Sequence, residues 1–202
     1  MSIISRIKIN LERRLWYMVN KWQFKKLGLK SFIYKPLLLT KSSITVHDNV
    51  FVYFHARIEG ITYYEGVDYS PEIILDENCT VQQNIHLTCA KRVYIGKFTA
   101  IAANVTITDI HHPYEDISTP IEKQRLLVDP VSVGSECKIY NNAVILPGTT
   151  IGRHCTIGAN SVVSGIIPDY CVVVGIPGRI IKRYNFDKNQ WINTDKDGNF
   201  IN

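Results

Sequence analysis

No uninterrupted apolar stretch approaches the ~20 residues that a membrane-spanning helix needs. The N-terminus shows no apolar core of about 7–15 residues such as a secretory leader carries. The five cysteines (Cys79, Cys89, Cys137, Cys155 and Cys171) are odd in number and include no C-x-x-C pair. That argues against a disulfide scaffold and a zinc site, and for free thiols in a reducing compartment. Acid is almost missing from residues 1–35, where nine Lys and Arg face Glu12 alone. This segment is therefore +8 and the rest of the chain −3, so the overall +5 belongs to an arm, not to the body. No recognition motif accompanies that charge, which argues against a nucleic-acid partner.

What is present is an ordinary globular composition: 202 residues, 46% hydrophobic and 20% charged. Within it runs a repeat. Val133, Ile139, Ile145, Ile151, Ile157 and Val163 are spaced by six, and small residues follow four places on at Cys137, Ala143, Thr149, Cys155 and Ser161. Shorter runs of the same kind are Ile95-Ile101-Ile107, Leu75-Val81-Leu87 and, more weakly, Val46-Val52-Ile58. Period six is neither a helix nor a simple strand period. A short strand and a tight corner, repeated, makes a flat face every six residues, and three faces close one coil. The branched residue fills the coil interior and the small residue fits the corner. Three of the cysteines are thereby placed as packing residues.

These hexads resemble those of the hexapeptide-repeat acyltransferases over about residues 44–183. The resemblance implies an all-β solenoid, a left-handed parallel β-helix, with an N-terminal α-helix and a short C-terminal helix or tail. The expected layout is a basic amphipathic arm (1–35), the β-helix (36–167) with an excursion at 108–131, and a coenzyme-binding turn, helix and tail (168–202). In the arm, Ser5 is the expected cap of a helix ended by Gly28. Ile4, Ile7, Leu11, Leu15, Met18 and Trp22 form its apolar stripe. The stripe reads either as packing on the body or a subunit, or as contact with the inner face of an anionic membrane. The chain is otherwise expected to be cytoplasmic.

The excursion interrupts the hexads between Ile107 and Val133 and contains Asp109, His111, His112, Pro113 and Tyr114. A long loop in so regular a solenoid is usually functional. The stretch is similar to one in sugar O-acetyltransferases, whose catalytic His precedes a Pro. The resemblance implies that His112 is the general base, with His111 the runner-up and Asp109 orienting an imidazole or binding the acceptor. Imidazole suits the task, since it exchanges a proton near neutral pH. The galactoside enzymes' acceptor-binding Asn corresponds to Gln82, and Asn84 and His86 stand nearby as acceptor contacts. The run Val173-Val174-Gly175-Ile176-Pro177-Gly178-Arg179-Ile180-Ile181 is like that of coenzyme-A-using members. It implies acetyl-CoA as acyl donor, with Asn141, Ala159, Ser164, Arg179 and Lys182 as its contacts. Two departures stand out: Lys138 replaces the family's usual Trp, and Gly165 a common Lys. The tail around Tyr184, Phe186 and Trp191 resembles acetyltransferases of O-antigen and capsule clusters. The implied activity is O-acetylation of a sugar hydroxyl on a nucleotide-, lipid- or polymer-linked acceptor, by a homotrimer. The alternative is N-acetylation of an amino sugar. A metalloenzyme like the γ-class carbonic anhydrases is disfavoured by the histidine spacing, so no metal is expected.

Overall fold

Three ladders of branched side chains run through the middle of the molecule, one for each face of the coil. In the computed structural model, which describes residues 3–195 and 198–201 (side chains from Asn10 onward), Leu75, Ile95, Val133, Ile151 and Ile167 stack in register. Val52, Val81, Ile101, Ile139, Ile157 and Val173 form a second ladder. Ile58, Leu87, Ile107, Ile145 and Val163 form the third. All but Ile167 are at most 1% exposed. Each such burial stabilises by about 1.5–3 kcal/mol, which is why the period is so strictly kept. The strands lie in parallel sheets of seven, nine and six, the nine including two antiparallel strands at its end. The architecture is a left-handed parallel β-helix.

The corners explain the rest of the hexad. The third residue after the interior one takes a left-handed conformation, and Asn fills that place at Asn49, Asn78, Asn84, Asn104, Asn142 and Asn160. Asn tolerates positive φ better than other side chains with a Cβ. Four of these stack into an amide ladder: Asn84 donates to Asn104 (3.0 Å), Asn104 to Asn142 (3.1 Å) and Asn142 to Asn160 (3.0 Å). The small fourth residue points inward, and Cys79, Cys137, Ala143, Thr149, Cys155, Ser161 and Cys171 are at most 2% exposed. Burial pushes the Cys79 thiol up to about 12, as suits a packing residue.

Both ends differ from expectation. The N-terminal helix spans Ile3–Asn20, so Ser5 lies within it instead of capping it, and it stops well before Gly28. The side chains of Ser5, Ile4 and Ile7 lie outside the described set. The chain leaves the helix early because Leu27, Ile33 and Leu39 are themselves spaced by six. They form a first coil with strands at Lys26–Leu27, Phe32–Ile33 and Leu38–Leu39. The solenoid thus starts ten residues before position 36. At the other end, no helix occurs among the described residues beyond 168. Arg179–Asn185 turns back antiparallel on Cys171–Val174, and Gln190–Asn193 follows it. The open edge of the last coil is satisfied by a meander instead.

Candidate active site

The outer face of the third sheet is the floor of the site. Interior residues alternate with outward ones along each strand, so Ile58, Leu87 and Ile107 point in while their neighbours point out. Arg57, His86 and Thr106 align across adjacent coils, as do Glu59, Thr88 and Thr108. The Thr88 hydroxyl donates to Thr108 (2.8 Å), and the Arg57 guanidinium pairs with Glu59.

Two excursions wall this floor. The first leaves the sheet at Ile110–His111, which pairs antiparallel with Leu127–Val128. The second is a hairpin that pairs Tyr63–Tyr64 with Val67–Asp68. The hairpin turn has positive φ at both Glu65 and Gly66, the geometry that a two-residue hairpin loop needs. The two walls are tied together. The Tyr64 hydroxyl donates to the Glu122 carbonyl (2.8 Å) and carboxylate (3.0 Å). Tyr69 bridges both backbone groups of Leu126 (2.9 and 3.2 Å), and Lys123 meets Glu65 at 3.0 Å. Desolvation, and then the Glu122 carboxylate, holds the Tyr64 hydroxyl above its ordinary range.

Between floor and walls lies a groove of about 370 Å³, lined by residues that include Arg57, Tyr64, His86, Thr88, Thr108 and His112. The His112 ring stands edge-on to Tyr64, 5.6 Å between centroids at 78°. His111, one residue earlier, is not among the lining residues and instead approaches Asp129 (Nε2 to carboxylate, 3.6 Å). Strand alternation separates the adjacent pair: one imidazole faces the groove, the other the far wall. His86 shares the groove with His112. Desolvation, helped by nearby Arg57, lowers its pKa and favours the neutral ring.

Asp109 requires a correction. It is wholly buried, and its carboxylate accepts from the backbone N–H groups of Ala90 (2.8 Å), Lys91 (2.8 Å) and Arg92 (2.7 Å). The Cys89 thiol also points at it (3.4 Å). With its oxygens so engaged it orients no imidazole. It anchors the root of the excursion to the corner of the coil below. Asn84 is also reassigned, since its amide belongs to the corner ladder. Gln82 is not among the groove's lining residues.

The expected coenzyme contacts lie elsewhere on the surface. Asn141 and Ala159 occupy one corner of successive coils, where the Asn160 N–H donates to the Asn141 carbonyl (2.9 Å), and both are exposed. The turn after Cys171–Val174 folds back over the strand Val162–Val163: Gly178 N–H donates to Val162 (2.7 Å) and Gly175 N–H to the Ser161 hydroxyl (3.1 Å). This sets Gly175–Arg179 next to the segment leading to Ser164. Arg179 and Lys182 are exposed on the following strand, Arg179–Asn185. Lys138 places its ammonium over the Tyr140 ring (5.4 Å), and Gly165 has a left-handed φ of 78°, which a Lys would adopt only with strain. Among the described residues no group of three His, Cys, Asp or Glu converges as a metal site.

The hairpin at 60–71 and its Tyr64 were missed by sequence reasoning. Two signals were available: the hexads skip from Ile58 to Leu75, and Glu65-Gly66 sits in the gap.

A family model for the bacterial transferase hexapeptide (six repeats) matches residues 130–165. Over that stretch the chain is similar to the hexapeptide-repeat transferases. The chain is 36% identical over 126 residues to the "Putative lipopolysaccharide biosynthesis O-acetyl transferase WbbJ" of Escherichia coli K12, covering 59% of this chain and 64% of that one. It is 31% identical over 132 residues to the galactoside O-acetyltransferase of the same organism, covering 65% and 62%. The chain thus matches just under two thirds of the length of these curated relatives. Among solved structures, an N-acyltransferase variant (AntD) from Bacillus cereus, in complex with dTDP and coenzyme A, superposes with a TM-score of 0.61 at 18% identity, covering 85% of this chain and 90% of that one. The hexapeptide-repeat acetyltransferase VCA0836 of Vibrio cholerae gives 0.55 at 20% identity, covering 90% and 88%. Both are similar in fold.

Proposed function

We propose that the protein is an acetyl-CoA-dependent O-acetyltransferase that modifies a sugar hydroxyl in cell-surface polysaccharide (O-antigen or capsule) biosynthesis, with His112 as the general base. The observation that carries this reading is the groove in which the His112 imidazole, and not that of His111, faces polar groups of three stacked coils. Similarity to the O-acetyl transferase WbbJ and to a galactoside O-acetyltransferase supports the reaction class.

In this mechanism the acceptor hydroxyl enters the groove and gives its proton to His112 as its oxygen attacks the thioester carbonyl. The tetrahedral adduct collapses, the C–S bond breaks, and the imidazolium returns its proton to the departing coenzyme A thiolate. No protein nucleophile is needed, which fits five buried thiols. Such a base contributes ~10²–10⁴-fold. The Tyr64 ring holds the imidazole from one side, while neutral His86 and the Thr88–Thr108 pair offer hydrogen bonds to sugar hydroxyls. Asn141, Ala159, Ser164, Arg179 and Lys182 are assigned to the coenzyme, whose phosphates the two cations meet. The groove is open to solvent, and we assign its missing wall to a neighbouring copy in a homotrimer.

The test is steady-state acetyl transfer from acetyl-CoA to a panel of sugar acceptors, with the product bond identified as ester or amide. His112→Ala is expected to lower kcat by ~10²–10⁴, whereas His111→Ala retains most of it. Near-normal kcat in the His112 variant removes the assignment, and an amide product removes the O-acetyl reading.

A further inference from the structure

The N-terminal helix packs by the face opposite to its apolar stripe. Its end is held through Trp16, whose ring meets Phe24 and Phe32 edge-on (5.9 and 5.5 Å), and through buried Asn20. Leu11, Leu15, Met18, Val19 and Trp22 are left 50–83% exposed. At 100° per residue, Leu11, Leu15 and Met18 fall within about 60° of one another, a continuous outward ridge. Trp22 extends it beyond the helix.

Beside this ridge, a groove of about 890 Å³ opens between the helix and the first coil, lined by residues that include Arg13, Arg14, Tyr17, Met18, Leu29 and Lys30. No acid lines it. Arg13 is already used: it donates to the Lys30 carbonyl and its guanidinium stands over the Phe51 ring (5.8 Å). Arg14 and Lys30 are exposed and form no ion pair among the described residues. The surface therefore joins a large apolar ridge to unneutralised cations, within a segment that is +8 overall. Two copies of this face would bring like charges together. Lipid phosphates would neutralise them.

We propose that this face docks on an anionic lipid surface. The helix lies in the plane of the interface, the ridge enters the boundary between headgroups and acyl chains, and Arg14 and Lys30 meet headgroup phosphates. Trp22 is suited to that boundary, with an apolar ring and a polar N–H. The proposal does not depend on acetyl transfer and is read without it.

The experiment is co-sedimentation of the full chain with vesicles of phosphatidylglycerol and phosphatidylethanolamine, against vesicles of phosphatidylcholine alone, with light scattering to give the oligomeric mass. Binding is expected only to the anionic vesicles, weakened by salt, and with a blue shift of tryptophan emission that Trp22→Phe removes. Each cation near such a surface contributes about fivefold, so Arg14→Gln with Lys30→Gln lowers partitioning about 25-fold. Leu15→Gln with Met18→Gln abolishes it, and both substitutions are on exposed positions that leave the fold unchanged. Equal binding to both vesicle types overturns the proposal, as does unchanged binding of both double variants. A fall in oligomeric mass in Leu15→Gln/Met18→Gln assigns the face to a second copy and equally overturns it.

Discussion

Replacing Asp109 separates an anchor from a catalytic group. Its carboxylate accepts three backbone N–H bonds of 2.7–2.8 Å from the corner Ala90–Arg92 and is wholly buried. Asp109→Ala leaves those three donors without an acceptor. The Ala90 N–H belongs to a residue 1% exposed and loses about 2 kcal/mol, near the middle of the range for a buried unsatisfied group. The Lys91 and Arg92 groups lie at part-buried positions where water relieves them in part, at about 1 kcal/mol each. The sum is about 4 kcal/mol, and a chain of this size shifts by about 2–4 °C per kcal/mol, so Tm falls by about 8–16 °C. Asp109→Asn keeps one acceptor oxygen but turns an amide N–H₂ toward backbone donors, and recovers less than half of the loss. Circular dichroism melts and acetyl-transfer rates, measured on the same preparations, read both effects. Tm and kcat should fall together in both variants, because Ile110–His112 loses its root. An Asn variant with the parent's Tm and a collapsed kcat would refute the anchor argument and return Asp109 to the chemistry.

Other outcomes follow from single contacts. Neutral His86 makes stability depend on pH: its folded pKa lies below its ordinary 6.5, so as pH falls below about 6.5 the unfolded chain binds the proton first and the native state loses stability. His86→Gln should flatten the decline of Tm between pH 6.5 and the lowered folded pKa, and an unchanged slope rejects the desolvation assigned to that ring. Asn104 holds a left-handed φ of 59° and the middle of the amide ladder. Asn104→Ala should destabilise by about 2 kcal/mol in urea unfolding, from about 1 kcal/mol of backbone strain and the remainder from two exposed amide bonds. Asn104→Gly should recover the strain part, and equal losses in the two variants would contradict the assignment.

The solenoid was legible because its information is local and repeated. Each coil needs a branched residue inside, a left-handed corner and a small residue beside it, and each coil contacts mainly the next. The hexad alone therefore determined the three ladders and the packing role of Cys79, Cys137 and Cys155, and it put the excursion at Ile107–Val133. It also contained Leu27, Ile33 and Leu39, a first coil hidden by the competing helical pattern of the basic arm.

Only the tertiary structure decided what the excursions do. Asp109 meets a corner 17–19 residues away, and Tyr64 meets Glu122 across 58 residues. Neither contact has a period, so nothing in the spacing announces it. The same holds for His111 and His112, equivalent as neighbours in sequence until the pleat of the strand sends one to Asp129 and the other to the groove. The helix makes the point most sharply. Its apolar stripe was readable, but Trp16 and Asn20 pack on the solenoid and leave the stripe facing outward. Periodicity defines a face, while the shape and charge of whatever the face meets determine which side is buried.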